Sequence, residues 1–257
     1  MRFSYSKLNV FFTCPLQFKF KYLDKDKEEE VTDSYSTYLG RGVHDALHKL
    51  YLNKDKDLIW LEKIWAEIAE EQIEEANKKA PDVFKEEKTV TIFKNHGRKI
   101  LRNFYSDNEG AFKQEEHNSL ALEKFFAVDF KDFTLSGVID KVEKIGSEIY
   151  VVDYKTGAPL AQEEVDKNLQ LTFYAIACRK AGLPLSKLNF CLHYVKDGVK
   201  VFTNRTIEDV KNLYKYLTEV KTKIDNEEFE ATPSKTACRY CGFKKYCPAY
   251  TEDSDNE

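Results

Sequence analysis

The stretch from Phe133 to Tyr154 constrains the fold of this chain more than any other. Phe133 to Ile145 and Ile149 to Tyr154 are rich in β-branched and aromatic residues with Gly146-Ser147 between them, so they read as two strands of one hairpin. Asp140 follows Gly137-Val138-Ile139, and Asp153 follows Tyr150-Val151-Val152 and precedes Tyr154 and Lys155. Because side chains alternate along a strand, Asp153 and Lys155 project from one face and Tyr154 from the other. The hairpin returns Asp140 to the neighbourhood of both. Tyr150, Val152 and Tyr154 facing one way, with Ile149 and Val151 facing the other, describes a strand covered on both sides. Two carboxylates held on adjacent strands are oxygen ligands suited to Mg2+ or Mn2+, and a neighbouring lysine can orient water or stabilise a phosphoryl anion. An isolated Asp-x-Lys more often marks an ion pair at a sheet edge, here followed by a turn at Thr156-Gly157, so the metal reading needs further pieces.

Helical periodicity surrounds the hairpin. Leu39, Val43, Ala46, Leu47, Leu50 and Tyr51 recur at helical spacing within Ser34 to Tyr51. The period continues through Leu58, Leu61, Ile64, Trp65 and Ile68, and a third helix fits Val90 to Tyr105. Leu120 to Phe130 reads as a first strand and Gln162 to Ala181 as a helix. Leu188 to Val195 and Val199 to Thr203 read as strands, and Ile207 to Ile224 as a long amphipathic helix. The simplest count is one domain over 1–257, with a helical insertion at 23–116, a core at 117–205, a cysteine-rich tail at 231–250 and seven disordered residues at the end.

Forty Lys and Arg against 44 Asp and Glu give a net charge of -4, which excludes a globally basic nucleic-acid binder; any DNA contact must be local. Met1 to Leu16 holds no apolar signal-peptide block, and no later stretch approaches the roughly 18 apolar residues that cross a bilayer. The chain therefore reads as soluble and cytoplasmic, with no membrane partner. In that reducing setting its six cysteines read as metal ligands and buried thiols.

With these pieces in place a family resemblance emerges. Gly137-Val138-Ile139-Asp140 and Val152-Asp153-Tyr154-Lys155-Thr156-Gly157 resemble the catalytic strands of RecB-type PD-(D/E)XK nucleases, and Gln170-Leu171-Thr172-Phe173-Tyr174-Ala175 resembles the helix that follows them. Gly40-Arg41-Gly42-Val43-His44 is similar to the family's Gly-x-x-x-His element. The resemblance implies an α/β, restriction-endonuclease-like fold, a mixed sheet flanked by helices. It implies that His44, Asp140 and Asp153 bind Mg2+ or Mn2+ and that Lys155 is catalytic. Gln170 and Tyr174, sharing a helix face at i and i+4, would assist near the phosphate; a half-buried amphipathic helix gives the same pattern. Glu123 occupies a position where the family often carries an acid. His48 could join His44 as His-x3-His but lacks a third ligand, and His96, His117 and His193 read as structural.

The tail carries Cys238-x2-Cys241-x5-Cys247-Pro248 and the opening carries Cys14-Pro15. Three close cysteines among lysines would be an oxidation liability unless a soft metal or cluster held them, and they need a fourth ligand. Spacing does not pair Cys14 with the tail. A Cys-Pro-x2-Phe opening with three tail cysteines does resemble iron-sulfur members of the family: CRISPR-associated adaptation nucleases, the nuclease of AddB-type helicase subunits and the exonuclease V group. That implies a 4Fe-4S cluster on Cys14, Cys238, Cys241 and Cys247, a C-terminal subdomain closed by the N-terminal cysteine. Zinc accepts the same four thiolates. Cys178 and Cys191 read as small core residues.

The implied activity is a deoxyribonuclease, an exonuclease on single-stranded DNA or DNA ends, working with a helicase or integrase in repair, recombination or CRISPR adaptation. A catalytically silent iron-sulfur DNA-binding scaffold is the other reading. Tail lysines interleaved with Tyr240, Phe243 and Tyr246 suit a threaded single strand, or form an ordinary charged surface.

Overall fold

Cys14 divides the aromatic opening of the chain. Arg2–Phe3 is a short strand (β1), Ser4 caps Tyr5–Thr13 (α1) by accepting the Lys7 N–H, and Pro15–Tyr22 (α2) begins immediately after Cys14. Proline at the first helical position has its φ already set and has no N–H to leave unpaired, so Cys14, in extended backbone, becomes the joint between two helices. The structure, a computed structural model, describes residues 1–30, 33–53, 57–113 and 118–251. It forms two compact units, one of residues 33–126 and 138–207, the other of 1–32, 127–137 and 208–257. His117 and the final six residues lie outside the described residues.

The first of these units opens with three helices: Tyr35–Leu52 (α3), Leu58–Lys79 (α4) and Glu87–Lys113 (α5). Their apolar stripes meet in a core that includes Leu47, Trp65, Ile68, Phe93 and Phe104. Close approach depends on Gly97, where a Cβ would stand 1.9 Å from Cζ2 of Trp65. Asp57 caps α4 by accepting the Ile59 N–H. α5 extends beyond the expected Val90 to Tyr105 at both ends.

The strands follow: Asn118–Asp129 (β2), Thr134–Ile145 (β3) and Glu148–Lys155 (β4). β3 and β4 form the expected antiparallel hairpin, from Lys141 opposite Val152 to Ile145 opposite Glu148. Gly146 turns it at φ 59°, a conformation that favours glycine. β2 pairs with β3. β4 runs parallel to Leu188–Tyr194 (β5), Asp153 opposite Leu192, and β5 runs antiparallel to Val199–Thr203 (β6). The sheet is thus mixed, and its parallel pair needs a crossover.

That crossover corrects the sequence reading. Gln162 to Ala181 is two helices, Gln162–Asp166 (α6) and Leu169–Lys180 (α7), because Asn168 leaves the helix and its side chain accepts the Leu171 N–H. Val152 and Tyr154 pack into the core with α3, α4 and α5, whereas Asp153 hydrogen-bonds to α7 on the other face. Helices therefore flank this sheet on both sides.

In the second unit β1 pairs in parallel with the start of β3, Arg2 with Thr134 and Phe3 with Leu135. From Glu208 onward it holds the body of Ile207–Asp225 (α8), and then Lys235–Arg239 (α9). Phe12 stacks on Tyr216 of α8 at 5.1 Å. The chain's two ends are joined directly: Thr232 Oγ1 donates to Thr13 O at 2.7 Å, and Glu30 N donates to Gly242 O at 2.8 Å. A Cβ at Gly242 would meet Glu30 O at 2.3 Å, so glycine is required there. Among the described residues no helix is long and apolar enough to cross a membrane.

Candidate active site

The β3–β4 register that sets Lys141 opposite Val152 places Asp140 beside Asp153. Asp153 is 2% exposed. Its Oδ1 accepts from Gln170 Nε2 and from the Tyr174 hydroxyl, both at 2.7 Å, so one turn of α7 converges on a single carboxylate oxygen. Lys155 Nζ lies 2.6 Å from Asp153 Oδ2 and donates to Gln170 Oε1 at 2.9 Å. The Gln170 amide therefore spans acid and lysine. Despite the short approach of Lys155, no hydrogen bond of acceptable angle reaches Asp153 Oδ2, a buried anionic oxygen.

Asp140 Oδ2 accepts the Tyr154 backbone N–H at 2.7 Å and stands 3.4 Å from Nδ1 of His44, on α3. Glu123 joins them. Among the described residues, His44, Glu123 and Asp140 form the one group of three whose ligand atoms all lie within 4.8 Å of one another. Glu123 has φ 44°, left-handed and unusual for a non-glycine residue in the middle of a strand. Interruptions of this kind re-aim side chains beside functional sites.

The electrostatics are those of crowded acids. Burial, then the charge of Asp140, raise the Asp153 carboxyl above its ordinary range against the opposing pull of Lys155. Glu123 is raised by burial and by Asp140. Burial works against a charged His44, but the hydrogen bond and charge of Asp140 prevail and the imidazole titrates above its usual value. Tyr174 is raised well above the phenol range by burial and by Asp153. A cation with several oxygen ligands would relieve this repulsion, and Asp153 Oδ2 offers it a lone-pair site, so these residues fit Mg2+ or Mn2+.

The structure thus gathers His44, Asp140, Asp153, Lys155, Gln170 and Tyr174 in one unit. Sequence reasoning did not reveal that the Tyr154 N–H anchors Asp140, since no side-chain pattern reports a backbone donor. His193 is buried between Phe104 and Tyr154, and burial pushes its imidazole down to about 3. His96 bonds to the Tyr35 hydroxyl at 3.1 Å.

Cys14, Cys238, Cys241 and Cys247 all lie in the other unit. Burial raises the Cys241 thiol, and the charges of Cys14, Cys247 and Cys238 raise it further, so the first cysteine is close enough to the tail to be felt electrostatically. Burial pushes Cys178 up to about 11 and Cys191 up to about 12, which makes both inert.

Comparison with known proteins is consistent with this geometry. One of the two-activity helicase/deoxyribonuclease proteins, an ATP-dependent one from Carboxydothermus hydrogenoformans, is 25% identical over 201 residues, 67% of this chain. The match covers only 18% of that protein, so this chain spans a small part of the relative's length. The sequence model of the PD-(D/E)XK nuclease superfamily matches residues 2–248, a span that takes in the carboxylates, the lysine and all four clustered thiols. On that extent, the chain belongs to the PD-(D/E)XK nuclease superfamily.

Proposed function

We propose that this protein is a metal-dependent deoxyribonuclease, an exonuclease acting on single-stranded DNA or DNA ends, with His44, Asp140 and Asp153 holding Mg2+ or Mn2+. One observation carries the reading: a buried carboxylate, raised by a second acid beside it, keeps one oxygen free of any well-formed hydrogen bond with a lysine 2.6 Å away. When bound, the ion supplies a Lewis acid that activates water and neutralises phosphate charge. Lys155, a third exposed, orients the attacking water or stabilises the anionic transition state. Gln170 holds Lys155 at a fixed distance from Asp153, and Tyr174 fixes the rotation of the Asp153 carboxylate. His44 acts through and beside Asp140, and Glu123 lies within reach of the same ion.

Cys14, Cys238, Cys241 and Cys247 are proposed to hold a 4Fe-4S cluster. A single zinc at a Zn–S distance of about 2.3 Å sets its sulfurs about 3.8 Å apart. Among the described residues no three of these sulfurs lie within 4.8 Å of one another, although Cys241 senses the other three. That wider spacing favours a larger metal group. In this reading 117–205 is the catalytic core of a nuclease domain over 1–257, 23–116 its helical insertion, and Cys14 with 231–250 its cluster subdomain. The relative's name couples a helicase to a deoxyribonuclease, which supports a helicase as partner; an integrase is the alternative.

The test is cleavage of end-labelled single- and double-stranded DNA with Mg2+, Mn2+ or EDTA. Removing a group that stabilises transition-state charge should lower the rate by about a hundredfold or more in Lys155→Ala. Cluster-replete protein that cleaves no substrate would replace the nuclease with a silent DNA-binding scaffold.

A further inference from the structure

Arg205 follows β6 and is 4% exposed, yet its guanidinium stays charged wherever it is placed. Five hydrogen bonds hold it. Nε donates to Thr172 Oγ1 at 2.9 Å; Nη1 donates to Thr203 Oγ1 at 2.9 Å and Asn204 O at 2.7 Å; Nη2 donates to Val165 O at 3.1 Å and Asn168 O at 2.9 Å. Two of these acceptors flank the break between α6 and α7. Val165 O is a terminal carbonyl of α6 and Asn168 is the cap of α7. Thr172 sits two residues beyond Gln170, about 200° further round the helix, so the guanidinium grips the back of α7 while Gln170 and Tyr174 occupy its front.

We propose that Arg205 is a positioning residue for the Asp153–Lys155–Gln170 centre: by tying the α6–α7 break to β6 it fixes the first turn of α7, and so where Gln170 meets its two partners. This rests on the nuclease reading of that centre. The residue pattern of 162–181 would allow one continuous helix, which would set Gln170 at a different angle and height. A planar fork serves acceptors on three elements at once. An ammonium on a flexible stem does not.

The experiment compares wild type, Arg205→Lys, Gln170→Ala and the double variant for kcat and KM on single-stranded DNA with Mn2+, alongside amide hydrogen exchange of the 165–175 segment. Arg205→Lys should lower kcat about tenfold or more with KM within about twofold, and the double variant should be no slower than the slower single variant, because both act through one group. Exchange around Asn168 to Thr172 should quicken while that of β4 and β5 stays as in wild type. Losses that multiply in the double variant overturn the link to Gln170, and unchanged exchange at the break overturns the hold on α7. Should Arg205→Lys not fold, Thr172→Val removes one acceptor with little change of shape and is expected to give the same coupled pattern at smaller amplitude. Wild type that cleaves nothing overturns the nuclease reading, and exchange then decides by itself whether Arg205 fixes the break.

Discussion

Replacing Asp153 by Asn should separate the needs of the fold from those of the site. The amide keeps the shape, and its oxygen can still accept from Gln170 Nε2 and the Tyr174 hydroxyl, the two 2.7 Å bonds made by Oδ1. Lys155 retains Gln170 Oε1 at 2.9 Å. The variant loses the 2.6 Å ion pair, in which Lys155 is a third exposed and partly screened. It also loses a buried charge beside Asp140. Since burial and Asp140 together raise the Asp153 carboxyl against Lys155, ionisation is disfavoured in the fold relative to the unfolded chain. A raised carboxyl contributes stability below its unfolded pKa and loses it as pH rises through the folded one, so at neutral pH the wild-type charge is a burden. Metal-free Asp153→Asn should therefore melt no lower than metal-free wild type. Metal reverses the order. At a hundred times its Kd an ion that binds only the native state adds about 2.7 kcal/mol, which is about 5–11 °C for a unit of this size, and the variant should lose most of that shift. Calorimetry with EDTA, Mg2+ or Mn2+, run beside the cleavage assay, reads both effects. A metal-free midpoint several degrees below wild type would refute the electrostatic argument, and an undiminished metal shift would remove Asp153 from the ion's ligands.

Three further outcomes are expected. The unfolded imidazole titrates near 6.5 and buried His193 near 3, so its contribution is complete above about pH 6.5 and falls by up to about 1.4 kcal/mol per pH unit below it. Urea unfolding of His193→Phe between pH 6.5 and 5 should show a shallower pH slope, and an equal slope would refute the assignment. Gly97→Ala drives a Cβ to 1.9 Å from Trp65, whose indole N–H is held by Lys94 O at 2.8 Å, and should cost about 2 kcal/mol or more by fluorescence-monitored unfolding; wild-type stability would mean that α4 and α5 slide apart freely. Cys241→Ser should lower iron and labile sulfide per chain and expose 231–250 to protease, while Asp153→Asn keeps both at wild-type levels; purified wild type carrying zinc instead of iron would overturn the cluster.

The parts of this molecule that the sequence disclosed are those governed by local rules. The Gly146-Ser147 turn and the period-two pattern on either side of it specify a hairpin, and alternation places Asp153 and Lys155 on one face without knowledge of any other element. The break at Asn168 escapes because an asparagine within an apolar period is compatible with a continuing helix, and what holds the break is a guanidinium 37 residues away. Glu123 gave only a position: a left-handed φ at a glutamate has no signature in the residues around it, since the strain is sustained by tertiary packing. Cys14 shows a third limit. Its sequence neighbourhood explains the joint between α1 and α2, but its nearness to the tail thiols depends on pairings such as Glu30 with Gly242 that only the folded chain displays.

The two readings of an Asp-x-Lys pair can be separated by asking which charge prevails. In a structural ion pair at a sheet edge the lysine dominates, and the carboxyl falls below its ordinary range. At Asp153 the direction is opposite, because burial and a second carboxylate outweigh Lys155. The hydrogen bonds are distributed with the same bias. Gln170 and Tyr174 both spend their donors on Oδ1, leaving Oδ2 to a lysine whose other partner is Gln170 itself. A fold selected only for stability would spread those donors over both oxygens, or replace the acid. Concentrating them on one oxygen fixes the carboxylate's orientation and keeps the other available, a disposition that serves a cation and a reacting phosphate better than it serves the sheet.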